Sequence, residues 1–243
     1  VIKDLPGVGE NLRDHPAVFL LYRLASDPQV AKGPSLQVGM RYTTPGSDVS
    51  NDVQIDPVQL SSEHRPTNVD VPDDASFTGF TIELQKAFSA GRVTLASADP
   101  NQQPTLDFRY LSDPRDTAKM RSAVRLCVSL CERPELRDIL AERIRPTDEQ
   151  LADDDSLDRW LMANIGTQHH SSGTCKMGPS SDAMAVVDQH LRIHGLSRVR
   201  VVDASVMPDV IRANTNATTI MIAEKAADWI RGIRPESSSG GDL

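Results

Sequence analysis

The chain has 243 residues, of which 39% are hydrophobic, and a formal net charge of −8 at pH 7. This apolar content is enough to fill a core, so one large domain or parts of two are expected. The acidic balance argues against binding to a nucleic-acid backbone, which needs a basic face. No stretch approaches about eighteen consecutive apolar residues, so no transmembrane helix is expected. The three cysteines are too few for a disulfide framework and fit a reducing compartment.

The first segment, "VIKDLPGVGENLRD" (residues 1–14), begins with valine, and its sequence is typical of the interior of a domain. We therefore expect the chain to be a fragment. Two glycines in "GVGENL" have the spacing of a dinucleotide-binding turn, but a third glycine is missing, and His15-Pro16 follows where a helix would run. A structural turn is the better interpretation.

Residues 15–110 carry the signals of strands. Hydrophobic residues alternate with polar ones in "AVFLLYRLA", "LQVGMRYTT", "DVQIDPVQL" and "GFTIELQKA". Such alternation, broken by Pro, Gly, Asp and Ser clusters, predicts a largely antiparallel sheet. Two more short strands are expected in "SAGRVTLASADPNQQPTLDFRYLSDP", and the polar residues 61–76 are expected to form a mobile loop.

Helical spacing replaces this alternation further along the chain. A helix is predicted over residues 113–140, with an interruption at Pro134, and a second one over residues 148–165. Cys127 and Cys131 lie four residues apart on the first helix and face the same way. Because a metal site usually needs three or four ligands, core packing is the better interpretation of this pair.

The C-terminal region has the pattern of a strand followed by a helix. "VRVVDAS" (residues 199–205) is a nearly continuous apolar run, which is typical of a strand buried on both faces of a parallel sheet. A final helix is expected from about Asn216 to Arg231, with Gly232 at its end. The tail "PESSSGGDL" is expected to be disordered. The predicted buried stripe of the final helix consists of Ile220, Ala223, Ala227 and Ile230.

The segment "TQHHSSGTCKMG" (residues 167–178) allows three interpretations from residue chemistry alone. A metal site would use His169, His170, Cys175 and Met177, soft ligands that suit copper, although adjacent histidines rarely both reach one ion. A cysteine nucleophile would pair Cys175 with His170 as its base. The third interpretation is a pair of packed or surface histidines. For this segment taken alone, the third interpretation is the favoured one.

A second stretch, "VVDASVMPDVIRANTNATTIMIAEKAADWI", changes which interpretation of the histidine segment is favoured. Together the two stretches resemble the C-terminal half of the glucose–methanol–choline (GMC) family of flavin-dependent oxidoreductases, in its choline-dehydrogenase-like branch. The shared pattern is a histidine, two residues and Gly-Thr-Cys-x-Met, then Asp-Ala-Ser, a proline, and Asn-Thr-Asn-Ala opening the last helix. Further matches are "DLPGVGENLRDHP" at 4–16, "SAGRVTLASADP" at 89–100 and "LDFRYLSDPRD" at 106–116.

The resemblance implies roles for individual residues. Gly173 places the family's histidine base at His170, and the second catalytic position, which is His or Asn in the family, falls on Asn214. Cys175 is then implied to be packed rather than catalytic. The residues implied to contact FAD are Asp203, Ala204, Asn216, Ala217 and Thr218.

The implied reaction is the FAD-dependent oxidation of an alcohol to an aldehyde or ketone. The hydride goes to flavin N5, because no side chain can accept a hydride. His170 is the expected general base, and the Asn214 amide is expected to donate a hydrogen bond to the alkoxide. The expected partners are a small alcohol and an electron acceptor, which is oxygen, a quinone or another carrier. A hydroxynitrile lyase of the same fold and a catalytically silent family member are the alternatives.

The expected fold combines α+β and α/β parts: a largely antiparallel substrate-binding sheet with helices, and the C-terminal strand and helix of an FAD-binding doubly wound domain. The expected divisions are 1–14 (end of an FAD-domain segment), 15–165 (substrate-binding domain), 166–234 (return to the FAD domain with the active site) and 235–243 (disordered tail). A complete GxGxxG unit is absent from the sequence. FAD binding and activity are therefore expected to require the N-terminal half of the same protein, in the cytoplasm or at a membrane surface.

Overall fold

The computed structural model describes residues 3–25, 36–59 and 77–232. The predicted loop at 61–76 and the predicted tail at 235–243 lie outside these ranges. The strands are β1 (Glu10–Leu12), β2 (Pro16–Leu24), β3 (Met40–Tyr42), β4 (Val53–Gln59), β5 (Phe77–Leu84), β6 (Gly91–Thr94), β7 (Thr105–Asp107), β8 (Leu140–Arg145) and β9 (Gly166–Thr167). The helices are α1 (Pro114–Cys131), α2 (Pro134–Arg137), α3 (Asp148–Leu151), α4 (Asp154–Asn164) and α5 (Thr215–Arg231), with a 3-10 turn at Ala204–Val206.

The larger sheet is antiparallel and has six strands in the order β3–β4–β5–β2–β8, with β9 paired to the start of β2. The predicted antiparallel sheet is thereby confirmed, and so is the α+β architecture. Strand β8 was not predicted, because "LAERIR" lacks a clear alternation of apolar and polar residues. The second predicted helix is divided in two, since Asp153 is extended and its side chain accepts a hydrogen bond from the Ser156 N–H at the start of α4.

Helices α1 and α4 cover one face of this sheet. Val18 and Leu20 of β2 pack there in a core that also holds Cys127 and Cys131 of α1 and Leu161 of α4. Both cysteines are buried in this cluster, which confirms their predicted packing role. Full burial of a side chain such as Leu20 stabilises the fold by roughly 1.5–3 kcal/mol.

The opposite face of the sheet carries polar side chains near the start of β2. Ala17 pairs with Glu83 of β5 on one side and with Gly166 of β9 on the other. Ile82 and Leu84 belong to the core under the helices, so Glu83 between them points to the other face. The pairing thus brings the end of β5 and the segment after β9 to the same place.

Strands β1, β6 and β7 form a separate three-stranded sheet. The turn before β1 contains the two glycines of "GVGENL". A Cβ atom on Gly7 would lie 2.1 Å from the Met184 carbonyl oxygen, and one on Gly9 would lie 2.3 Å from that of Val93. Close backbone packing therefore explains both glycines, in agreement with the structural turn predicted for them.

The C-terminal region has its own core, formed by Val186, Val187, Leu191, Val206, Met207, Ile222 and Ala226. The predicted strand at residues 199–205 is not formed within the described chain. Arg200 makes only an isolated bridge with Arg192, and the segment then enters the 3-10 turn. The prediction was wrong here because a buried parallel strand requires neighbouring strands, and none of the described strands pairs with these residues.

Helix α5 begins and ends where the sequence predicts, and its end at Gly232 has a left-handed φ of 74°. The predicted buried stripe is wrong. Ile222 and Ala226 are buried, whereas Ile220 and Ile230 are 54% and 67% exposed. The helix packs on the C-terminal core along the line of Ile222 and Ala226, so the neighbouring apolar line faces outward. None of the described helices has the length and apolar character needed to span a membrane.

Candidate active site

Asp14, just before β2, fixes the backbone on both sides of the site. Its buried carboxylate accepts hydrogen bonds from the backbone N–H groups of His15 (2.8 Å) and His170 (3.0 Å). It also accepts bonds from the hydroxyls of Tyr110 (2.6 Å) and Thr167. Four donors therefore converge on one carboxylate, and they hold the segment after β9 against the start of β2.

The two histidines held by Asp14 meet through their rings. Nδ1 of His15 lies 2.9 Å from Nδ1 of His170. Nε2 of His15 lies 2.7 Å from the backbone oxygen of Ile211. His15 is fully buried, whereas the ring of His170 is only half-buried. His170 is therefore the member of the pair that can meet a ligand.

Asn214 stands on the other side of His170. Its Nδ2 lies 3.3 Å from Nε2 of His170. Asn214 is exposed, and it occupies the cap position of α5 without making a side-chain capping hydrogen bond. The structure thus brings together the two residues predicted to be catalytic, and the Asn214 side chain is not engaged in capping α5.

Burial shapes the ionisation of the two histidines. Desolvation lowers the pKa of His15 to about 4, and the nearby His170 adds to the effect. Desolvation also lowers the pKa of His170, while the negative charge of Asp14 opposes the change. Both rings are therefore neutral at neutral pH, which is the state in which a histidine can accept a proton.

Glu83 is a third titratable group at this place. The carboxylate is 7% exposed, and it accepts a hydrogen bond from Nε2 of Gln85 at 2.9 Å. Ligand atoms of His15, Glu83 and His170 all lie within 4.8 Å of one another. Burial raises the pKa of Glu83 to about 7, and the negative charge of Asp56 adds to the effect.

Replacing Glu83 with glutamine should remove a pH-dependent loss of stability. Between the ordinary value of 4.5 and the folded pKa of about 7, the unfolded chain has released this proton and the folded chain has kept it. The free energy of unfolding therefore falls as pH rises through this window, by a total of about 3 kcal/mol. Urea unfolding of the wild type and Glu83→Gln, at pH values on both sides of the window, measures the difference.

His15 titrates in both proteins, so the comparison at each pH isolates the contribution of Glu83. Glu149→Gln, which removes an exposed glutamate of α3, is the matched control and should follow the wild type. Identical pH dependence of the free energy of unfolding in the wild type and Glu83→Gln would contradict the prediction.

The residues predicted to contact FAD lie at two places. Asn216 and Ala217 are exposed in the first turn of α5, followed by the half-buried Thr218. The early backbone N–H groups of a helix lack intrahelical partners, and here the cap side chain does not satisfy them. This helix end can accept a negatively charged group.

Asp203 and Ala204 lie beside the Gly-Thr-Cys segment. The Ala204 carbonyl accepts a hydrogen bond from the Gly173 N–H, and the Ser205 carbonyl accepts one from the Cys175 N–H. The Asp203 side chain caps the 3-10 turn by accepting a bond from the Ser205 N–H at 2.8 Å. Capping is the alternative role for an aspartate in this position, and contact of Asp203 and Ala204 with FAD stays a prediction.

The other interpretations of the histidine segment find less support. Cys175 packs against the C-terminal core, and burial raises the pKa of its thiol, which disfavours the nucleophilic thiolate. His169 is exposed and its side chain is not among the groups within reach of a shared ion. In the described part of the chain, the candidate ligand group is His15, Glu83 and His170. An ion there would have to displace the proton that joins the two Nδ1 atoms.

Three residues of the site were not found from the sequence: Asp14, His15 and Glu83. His15 stands in the matched stretch at 4–16 and breaks a helical pattern, but neither observation gave it a role in the site. Glu83 was part of a strand pattern, "GFTIELQKA". Glu83 occupies a polar position of that alternation, between Ile82 and Leu84, so the pattern gives no sign that its carboxyl group is buried.

Comparisons relate the chain to known proteins. A family model described as GMC oxidoreductase matches residues 87–223. The chain is 34% identical to an oxygen-dependent choline dehydrogenase of Proteus mirabilis, over 98% of this chain and 46% of that protein. It is 37% identical to an oxygen-dependent choline dehydrogenase of Klebsiella pneumoniae, over 97% of this chain and 46% of that protein. The chain thus spans about half the length of these curated relatives.

Solved structures share the fold. Pyridoxine 4-oxidase from Mesorbium loti superposes with a TM-score of 0.83 at 23% identity, over 96% of this chain and 45% of that chain. A formate oxidase from Aspergillus oryzae, examined for modification of its FAD, superposes with a TM-score of 0.81 at 24% identity, over 96% of this chain and 48% of that chain. At these identities the likeness establishes the architecture.

Proposed function

Because the chain belongs to the GMC oxidoreductase family, we propose that it carries the catalytic residues of an FAD-dependent enzyme that oxidises an alcohol to an aldehyde or ketone. The observation that carries the proposal is the pair formed by His170 and Asn214. A neutral imidazole nitrogen and an amide N–H group lie 3.3 Å apart beside the first turn of α5. A base and a neutral hydrogen-bond donor are the two groups that alcohol oxidation requires from the protein.

His170 acts as the general base. The alcohol O–H bond breaks as its proton moves to Nε2 of His170, and the electron pair stays on the alcohol oxygen. The lowered pKa of His170 keeps the ring neutral before this step. Asp14 and His15 hold the backbone and ring of His170 in place, so little motion is needed during proton transfer.

Asn214 stabilises the alkoxide. Its amide carries N–H donors and does not titrate, so the hydrogen bond persists while charge develops on the oxygen. The side chain is exposed and is not used to cap α5. We propose that the alcohol replaces the direct contact between the two side chains. Its O–H group would donate to Nε2 of His170, and its oxygen would accept a hydrogen bond from Nδ2 of Asn214.

FAD fits the residues that surround this pair. When bound, it supplies the hydride acceptor that no side chain provides. The backbone N–H groups of Asn216, Ala217 and Thr218 would hold the negatively charged edge of its ring at the positive end of α5. Asp203 and Ala204 would line the cofactor next to the Gly-Thr-Cys segment.

The dinucleotide part of FAD requires residues outside this chain. The curated relatives are about twice as long as the matched region, and the complete GxGxxG unit is not in this sequence. We propose that a nucleotide-binding half joins this chain in the active protein, and we call the two together the holoprotein. Residues 1–14 and 166–234 would belong to the FAD domain, and residues 15–165 to the substrate-binding domain.

The substrate is proposed to be a small alcohol. Product analysis during turnover of the holoprotein tests the proposal. Formation of an aldehyde or ketone from an alcohol supports it. Release of cyanide from a cyanohydrin with the FAD unchanged would instead identify a hydroxynitrile lyase.

A further inference from the structure

The hydrogen bond between His15 and Ile211 fixes where His15 carries its proton. Nε2 of His15 lies 2.7 Å from the Ile211 backbone oxygen, and a carbonyl oxygen can only accept a hydrogen bond. Nε2 must therefore carry a hydrogen. His15 is fully buried and holds a single proton at neutral pH, since burial lowers its pKa to about 4. Its Nδ1 is then an acceptor with a free lone pair.

The contact between the two rings fixes the proton on His170 in turn. The two Nδ1 atoms lie 2.9 Å apart, so one of them must donate. Because Nδ1 of His15 has no hydrogen, Nδ1 of His170 is the donor. Neutral His170 then has its lone pair on Nε2, the atom that faces the Asn214 amide at 3.3 Å. That amide donates to a lone pair, so the second contact agrees with the first.

We propose that His15 is a positioning residue that selects the tautomer of His170, so that Nε2 is always the atom that accepts the substrate proton. This inference rests on the proposed function for its catalytic meaning, but the tautomer itself is independent of the substrate. The opposite tautomer would place a hydrogen on Nε2, and His170 could not act as a base toward the alcohol.

His15 also keeps its hydrogen bond to His170 in the positively charged state that follows proton transfer. Once Nε2 of His170 has bonded the substrate proton, both ring nitrogens carry hydrogens and the ring is positive. Nδ1 of His15 still accepts the bond from Nδ1 of His170, so no second proton has to move. The carboxylate of Asp14, bonded to the backbone N–H groups of both histidines, keeps the two rings in register.

Two substitutions separate tautomer selection from a merely structural role. His15→Asn places an amide oxygen near the position of Nδ1, so it keeps the acceptor for His170 and loses the donor to Ile211. His15→Gln places its amide near the position of Nε2, so it keeps the donor to Ile211 and loses the acceptor. If His15 only supports the fold through Ile211, glutamine should be the better replacement. If it selects the tautomer, asparagine should be better.

The first measurement is nitrogen NMR of the substrate-free holoprotein labelled with ¹⁵N-histidine, with the His170 signals assigned by their loss in His170→Ala. The proposal expects a hydrogen on Nδ1 and none on Nε2 of His170 in the wild type and in His15→Asn. In His15→Gln, the Nε2–H form should become populated. A hydrogen on Nε2 of His170 in the wild type, or an unchanged tautomer in His15→Gln, would overturn the proposal.

The second measurement is the rate of flavin reduction by an alcohol. His15→Gln should slow it at least tenfold, since a histidine base held in the wrong tautomer loses as much as about 10⁴-fold in serine proteases. His15→Asn should recover most of this loss, and a slower rate for asparagine than for glutamine would overturn the proposal. If the NMR result holds but no alcohol is oxidised, the proposed function fails while the inference about the His15–His170 pair stands.

Discussion

Replacing His170 with alanine should slow the reduction of the flavin by an alcohol by about 10²- to 10⁴-fold, because the proton then has no positioned acceptor. The ring of His170 is half-buried and its contacts are to His15 and Asn214, so its loss should leave the fold intact. Anaerobic stopped-flow absorbance of the holoprotein measures the effect, and the thermal midpoint checks the fold.

The neighbouring histidine offers a matched control. His169 is exposed and has a left-handed φ of 61°, a conformation that asparagine tolerates well. His169→Asn should therefore reduce its flavin at close to the wild-type rate. Equal slowing in His169→Asn and His170→Ala, or no slowing in either, would contradict the assignment of His170 as the base.

The pH dependence of the wild type adds a second check on this assignment. Desolvation lowers the pKa of His170 below the ordinary 6.5, so the neutral, proton-accepting ring persists on acidification past that value. The rate of flavin reduction should accordingly fall only below pH 6.5. The acidic limb should disappear in His170→Ala, whose residual rate no longer depends on this group.

Replacing Asn214 with alanine should slow flavin reduction on the order of 10²-fold, which corresponds to about 3 kcal/mol for the loss of one preorganised donor to a developing oxyanion. The stability of the protein should change little, because the Asn214 side chain makes no capping hydrogen bond to α5. The loss should appear in kcat more than in KM, since the bond strengthens as charge develops.

A conservative variant separates the loss of a donor from a change of shape. Asn214→His restores an N–H donor at a position where the GMC family resemblance allows either residue, and it should recover much of the rate lost in Asn214→Ala. A wild-type rate in Asn214→Ala, or an effect confined to KM, would show that the amide does not stabilise the alkoxide.

Local patterns were sufficient to predict much of the fold. The alternating residues of β2, β4 and β5 face alternately the helices and the opposite side, and the strands form where this alternation is regular. Helix α1 begins after Asp113, whose side chain accepts a hydrogen bond from the Arg115 N–H, and it ends before Pro134. These signals act over a few residues, so they can be read without a partner segment.

The predictions that were wrong concern residues whose packing or pairing partners the sequence does not reveal. The apolar run at 199–205 has the composition of a buried strand, but strand formation depends on neighbours, and the described chain provides only one bridge, at Arg200. Helix α5 has two adjacent apolar lines. Periodicity alone could not tell that the line of Ile222 and Ala226, rather than that of Ile220 and Ile230, meets the core.

The residues of the candidate site divide in the same way, into those that sequence motifs reveal and those that depend on distant segments. His170 and Asn214 were found because the spacing of two motifs resembles a known family. His15 was missed, since its contact with His170 joins residues 155 positions apart and depends on the two-residue strand β9 pairing with the start of β2. Glu83 reaches the site through the pairing of β5 with β2. Such contacts depend on which strands pair across the sheet, and these pairings join segments that lie far apart in the sequence.

The central claim is that this chain supplies the base and the hydrogen-bond donor for alcohol oxidation. Anaerobic mixing of the holoprotein with a panel of primary alcohols, each with and without deuterium at the carbinol carbon, tests it most directly. We expect at least one alcohol to bleach the flavin, more slowly when deuterated, and to do so far more slowly in His170→Ala. A flavin that no alcohol bleaches, in a protein that cleaves cyanohydrins, would contradict the claim.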